Sequence, residues 1–191
     1  MRRFAIPTLM SFLLLAGCVS VTGIDAAKPV MVGDGITVNP QVAWASVSLP
    51  NVSDVFWTID GIGLDELHFY TGIAPGQPLM KIPGKTAAEI GTYAATMLPN
   101  DVMDLLASSL EKENYQTVHS SGLTPVTIGS HAAFRFNLTF STPSGLEMQG
   151  TALAIQQNGK LDVILFLAPR EYYFAHCQPI VDKIFASVQI A

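Results

Sequence analysis

The sequence predicts an α+β fold, with helices packed against a mostly antiparallel sheet. Three observations carry this. The candidate elements run strands, helices, strands, helix, an order in which helices segregate from the sheet instead of alternating with parallel strands. In residues 134–140, Phe134, Phe136, Leu138 and Phe140 alternate with Arg135, Asn137 and Thr139, the period of a half-buried strand. Residues 161–167 are apolar on both faces, which places that strand centrally with cover on both sides.

Taken in order, residues 18–34 read as a tether. They hold a few apolar residues without a period, and Lys28-Pro29 and Gly33-Asp34-Gly35 punctuate them. Residues 36–38 and 42–49 read as short strands, the second alternating Ala43, Ala45, Val47 and Leu49 with Trp44, Ser46 and Ser48. Residues 54–60 form a strand with Val55, Phe56, Trp57 and Ile59 on its two faces. Asp60-Gly61-Ile62-Gly63 turns the chain into a strand at 64–73, and the prolines and glycines of 75–84 make a loop.

Thr86-Ala87-Ala88-Glu89 reads as a capping box. The helix it opens has the stripe Ile90, Tyr93, Ala94 and Met97, and Pro99 stops it because proline lacks a donor and clashes with the preceding turn. Asn100 or Asp101 caps a second helix, with the stripe Val102, Leu105, Leu106, Ser109 and Leu110. Pro143-Ser144-Gly145 then turns the strand at 134–140. A turn centred near Pro143 sets Phe140 against Leu146 and Leu138 against Met148. The other face pairs Thr139 with Glu147, Asn137 with Gln149 and Arg135 with Thr151, and the clean sorting of polarity supports the hairpin. Asn158-Gly159 is a two-residue hairpin signal that pairs Ile155 with Asp162, Leu153 with Ile164 and Thr151 with Phe166. Residues 171–188 form the last helix, with the stripe Phe174, Cys177, Val181, Ile184 and Val188. Pro179 either kinks that helix or marks its first turn.

The chain opens with Arg2-Arg3, a short apolar run at 4–15, and Leu15-Ala16-Gly17-Cys18. This layout is that of a secretory signal. The run is too short to span the roughly 30 Å of bilayer hydrocarbon as a helix, and Pro7 interrupts it. The cysteine directly after Leu-Ala-Gly resembles the lipobox of bacterial lipoproteins. That resemblance implies cleavage before Cys18, acylation of Cys18 and a cell-envelope location facing the periplasm. Val19 stands where an aspartate tends to retain enterobacterial lipoproteins at the inner membrane, so the outer membrane is favoured. The expected organisation is a signal peptide at 1–17, a tether at 18–34 and one domain at 35–191.

Composition narrows the function classes. The chain carries 10 basic and 15 acidic residues, and losing Arg2 and Arg3 leaves 8 against 15, a mature net charge of −7. An acidic chain without a basic run argues against nucleic acid and against an anionic lipid surface as partners. Acylation of Cys18 would leave Cys177 without an intramolecular partner, so the core must stabilise the fold without disulfides.

The C-terminal half holds Ile128-Gly129-Ser130-His131-Ala132-Ala133-Phe134-Arg135-Phe136, then Asn158-Gly159-Lys160-Leu161, Phe166-Leu167-Ala168-Pro169 and a tyrosine-bearing helix ending Ile184-Phe185-Ala186-Ser187-Val188. These segments resemble the PsbP-like family, which spans the extrinsic oxygen-evolving subunit, a Ran-binding import factor and bacterial envelope lipoproteins. The resemblance covers residues 80–191 well and 35–79 loosely. It implies an α/β/α sandwich with helices on both faces of the sheet, no shared catalytic residues, no cofactor, and a binding or assembly role.

Searched directly for chemistry, the sequence offers little. Its four histidines are scattered, without metal-ligand spacing. Asp60, Asp65, Glu66 and His68 cluster and could hold a weak cation, but a solvated hairpin end accounts for them better. His176 and Cys177 are adjacent on a helix and so point apart. No serine sits in a nucleophile elbow. The feature that stands out is a polar hairpin face of Arg135, Asn137, Thr139, Glu147, Gln149 and Thr151, with Arg135 expected to pair diagonally with Gln149 or Glu147. The expected function is therefore a non-catalytic, lipid-anchored envelope protein that binds or stabilises another envelope component. Low charge and many aromatics make a carrier of a small apolar ligand the alternative, and a hydrolase is a remote one.

Overall fold

The computed structural model describes residues 19–33, 35–49 and 55–190. The segment expected as a signal peptide and Cys18 lie outside the described residues. Eight strands form one sheet: β1 (Ser20–Ile24), β4 (Trp44–Ser48), β5 (Val55–Thr58), β6 (Glu66–Ile73), β7 (Gln116–Ile128), β8 (His131–Ser141), β9 (Glu147–Gln157) and β10 (Lys160–Pro169). Their spatial order is β1-β4-β5-β6-β10-β9-β8-β7, and the described pairs are antiparallel. A smaller sheet joins β2 (Val30–Val32), β3 (Ile36–Val38) and β11 (Gln189–Ile190). The helices are α1 (Ala87–Ile90), α2 (Pro99–Lys112) and α3 (Tyr173–Ala186).

Two apolar layers sandwich the main sheet. On one face Val102, Leu105, Leu106 and Leu110 of α2 pack on Phe134, Phe136, Leu138 and Phe140 of β8 and on Val163 and Leu165 of β10. On the other, Phe174, Cys177, Val181 and Ile184 of α3, with Val32, Ile36 and Val38 of the small sheet, cover Trp57, Leu153, Ile164 and Phe166. Strand β10 is buried along residues 161–169, as its two apolar faces require. The architecture is the expected α+β sandwich with cover on both sheet faces.

Several local expectations are corrected. The segment expected as a tether at 18–34 carries β1 and β2. All five residues of β1 pair with β4, from Ser20 opposite Ser48 to Ile24 opposite Trp44. The pairing comes from β4 and not from any period in β1 itself. Gly33 then brings β2 against β6, since a Cβ there would lie 1.7 Å from Thr71 Oγ1. The first helix is a single turn. Glu89 accepts from the Thr86 amide at 2.7 Å, as a capping box requires, but Gly91 at φ +103° leaves the helical region. Tyr93 is nonetheless buried, in an irregular segment packed with α2. Pro99 opens α2 rather than merely ending α1. Leu98 is the N-cap, and Asp101 accepts the Leu98 amide at 2.8 Å.

Strand β7 was not foreseen. Its register slips between Gln116 and His119 and again between Ser121 and Thr124, next to Thr117 and Gly122 with positive φ. The β8–β9 hairpin is shifted by two residues from the expected register, with Phe140 opposite Met148 and Thr139 opposite Gln149. A two-residue shift keeps every side chain on its face. The β9–β10 register is the expected one. Pro179 lies within α3, beyond its first turn.

Candidate functional site

Helix α3 covers only part of its sheet face. Beyond it, β8 and β9 present a polar strip built by strand alternation, with Asn137 opposite Thr151, Thr139 opposite Gln149 and Ser141 opposite Glu147. Strand β7 extends the rows, with Ser121 opposite Asn137 and His119 opposite Thr139. Asn137, Thr139 and Glu147 are exposed and Gln149 is half-buried. A depression of about 280 Å³ opens here, lined by Thr117, His119, Thr139, Ser141, Glu147 and Arg170 among others.

Two ion pairs bound the strip. Arg135 does not reach Gln149 or Glu147 as expected. Its Nη2 donates to Asp182 Oδ1 of α3 at 2.6 Å, and its guanidinium lies 4.9 Å from the centre of the Phe185 ring. At the other end Arg170 Nη1 donates to Glu147 Oε2 at 2.8 Å, with both side chains more than half exposed. Within the strip, Thr151 is buried and its hydroxyl has no hydrogen-bond partner. A buried hydroxyl without a partner is costly.

The carboxylates near the β5–β6 turn serve the fold. Asp65 is fully buried and not a solvated hairpin end. It accepts from Thr58 Oγ1 at 2.9 Å, from the Ile59 amide at 2.7 Å and from the Asp60 amide at 2.9 Å. Burial pushes its carboxyl above the usual range, against these three donors. Burial acts on Glu66 as well, but the hydrogen bond and charge of His68 and the Gly63 amide hold Glu66 below its ordinary value. The His68 ring lies 3.2 Å from Glu66 and stacks between Phe56 and Tyr70 at 5.1 and 5.9 Å. Among the described residues no group of three or more His, Cys, Asp or Glu is placed to hold a metal. Cys177 is buried, and His176 stacks on Tyr172 at 5.3 Å, so the two do not meet. Burial, then the charges of Asp65 and Asp60, push the Cys177 thiol to about 11.

No protein-family model matches the chain, and no curated protein matches it in sequence. Its fold does match. The solution structure of cyanobacterial PsbP (CyanoP) from Synechocystis superposes with a TM-score of 0.54 at 14% identity, over 95% of this chain and 99% of that one. The fold is PsbP-like. Two weaker likenesses accompany it. The Mycobacterium tuberculosis protein LpqN, involved in cell envelope biogenesis, gives a TM-score of 0.39 at 14% identity, over 91% of each chain. The Saccharomyces cerevisiae Ran-binding protein Mog1p gives 0.40 at 10% identity, over 91% of this chain and 96% of that one. The PsbP-like fold explains why the quoted motifs are structural. Phe134, Phe136, Leu161, Phe166 and Ile184 are all core. His119, Ser121 and Arg170 were missed as neighbours of the strip, because β7 shows no alternation and Arg170 follows a strand-ending proline.

Proposed function

We propose that the protein is a non-catalytic, lipid-anchored envelope protein, held by Cys18, whose polar strip receives another envelope protein. The lipobox supports the anchor. The observation that supports the binding role is the strip itself. Asn137, Thr139 and Gln149 form an uncovered, hydrogen-bonding sheet face between the Arg135–Asp182 and Glu147–Arg170 pairs. Both pairs are partly exposed, so their charged groups remain available to a partner. Amide and hydroxyl side chains on a sheet offer donors and acceptors in fixed rows, which suits protein recognition through a polar contact.

Photo-crosslinking in intact cells tests this. A photoreactive residue replaces Asn137, Thr139 or Gln149 in turn, with Ala175 on the exposed side of α3 as the control. The expected result is one envelope protein captured from the strip positions and not from the control. Capture of the same species from all four positions, or of none, would overturn the binding role. Loss of membrane recovery and acyl labelling in Cys18→Ser tests the anchor separately. Unchanged labelling in that variant would refute it.

A further inference from the structure

The anchor leaves no room for a linker. Cys18 is one peptide bond from Val19, and β1 begins at Ser20. Successive Cα atoms stand about 3.8 Å apart, so a lipid on Cys18 brings the start of β1 to the membrane surface. What stands there is apolar. Val21 of β1 is 60% exposed, Met31 of β2 is 68% exposed, and Val19 and Val55 are exposed too. Behind β1 lies a groove of about 460 Å³, lined by Ile24, Val30, Met31, Val55, Trp57 and Phe69 among others. Among the described residues no charged one lines it, and none falls between Val19 and Ile24 in the sequence. Asp25 and Lys28, the next charges along the chain, pair with each other at 3.3 Å.

The sheet's two edges also differ. Strand β7 carries Pro125 and two register slips, devices that blunt an edge. Strand β1 has no proline, charge or slip and pairs regularly along β4. Exposed in water, such an edge invites unwanted pairing.

We propose that the β1 edge and the rim of the groove behind it rest against the bilayer that holds Cys18. This rests on the lipid-anchor reading above. The unpaired N–H and C=O groups of β1 set the depth. Hydrocarbon would leave them unsatisfied, whereas headgroup oxygens and water satisfy them. The contact is therefore interfacial, with Val19, Val21 and Met31 reaching the acyl boundary. The acidic chain gains nothing from anionic headgroups, so apolar contact supplies the attraction. Eight strands spaced about 4.8 Å apart then stand edge-on, which lifts β9 and β8 about 24–29 Å from β1. The polar strip then stands at that height above the membrane and faces sideways, where a partner can reach it.

The test uses full-length lipidated protein in vesicles of phosphatidylethanolamine and phosphatidylglycerol. Intact mass confirms the acyl group on Cys18. In a Cys177→Ala background, spin labels are placed at Val21→Cys, Met31→Cys, Leu98→Cys and Asn137→Cys, one at a time. Relaxation by oxygen and by a water-soluble nickel complex reports depth. The expected oxygen-to-nickel ratio is several-fold higher at 21 and 31 than at 98 and 137. Equal ratios at all four sites in acylated, vesicle-bound protein would overturn the docking while leaving the anchor intact. An unacylated Cys18 would refute the anchor itself and this proposal with it. Dipolar broadening at 21 between copies, at a lipid excess that leaves labels at 98 unbroadened, would assign the β1 edge to a second copy and overturn the bilayer contact.

Discussion

Two residues show how far a side chain's fate departs from its sequence neighbourhood. Cys177 lay on the stripe expected of the last helix and is buried on it. Burial, then two nearby carboxylates, penalise the thiolate and push the thiol up to about 11. A raised folded pKa contributes stability that is fully present below pH 9 and lost as pH rises through 11. A two-unit shift corresponds to about 2–3 kcal/mol. Urea unfolding should therefore show a falling limb between pH 9 and 11 that flattens in Cys177→Ala. Tyr115 adds to the slope at the alkaline end, because burial, then Glu113 and Glu66, push its phenol to about 12. A limb unchanged by the substitution would place the thiol in water. The same variant should cost about 1 kcal/mol at neutral pH, as one small apolar contact is lost. Arg135 is the opposite case. Alternation placed it correctly on the polar face, but its partner Asp182 is 47 residues away on α3, and no local pattern reveals it. The pair is partly exposed, which discounts its charge energy. The ring of Phe185 adds to it, so Arg135→Ala should cost about 1–2 kcal/mol in thermal or urea melts. A wild-type melt would mean that the guanidinium contributes nothing to docking α3.

Whole elements were legible where their pattern is local. The stripe of α2 matches its buried residues at all five positions, because a 3.6-residue period is written in adjacent turns. The β9–β10 register followed from Asn158-Gly159 for the same reason. Helix α1 misleads because Ile90 and Tyr93 are both buried, one in a helical turn and one in irregular chain, and burial alone cannot distinguish them. Strand β7 was hidden by Gly122 and Pro125, which read as breakers yet sit in an edge strand that tolerates them. In the sequence Gly33 only punctuates a loop. The structure makes it the contact that seats β2 on β6. An added Cβ would lie 1.7 Å from Thr71 Oγ1, 2.6 Å from its Cβ and 3.0 Å from its Cγ2, so no rotation of Thr71 relieves the clash. The φ of +58° adds strain for any other residue. Gly33→Ala should cost about 2–4 kcal/mol, and Thr71→Gly should recover part of it. Absence of any melting change in Gly33→Ala would show that β2 is not held against the sheet.

At the scale of the molecule, the α+β class and its two covered faces followed from element order and from the all-apolar β10. The full extent of the sheet did not. Strand β1 is Ser-Val-Thr-Gly-Ile, a segment without alternation that becomes a strand only because β4 offers an unpaired edge. The candidate strip was legible in composition, but which part of it stays uncovered depends on where α3 ends, and only tertiary packing decides that. The distinction between tether and strand has a direct consequence. A tether can be shortened without thermodynamic cost, whereas β1 contributes its ladder to β4 and places Ile24 against the α3-side core. Net hydrogen bonds of about 1 kcal/mol each put the loss on removing residues 19–24 at roughly 3–4 kcal/mol. A secreted form that lacks only the anchor, with Cys18 replaced by serine, should melt as wild type does. A form beginning at Asp25 should melt well below it and expose the β4 edge, seen as faster amide exchange at residues 45–47. If both forms melt alike and exchange alike, β1 contributes nothing to the sheet, 18–34 is a tether after all, and the domain is free to swing on its lipid.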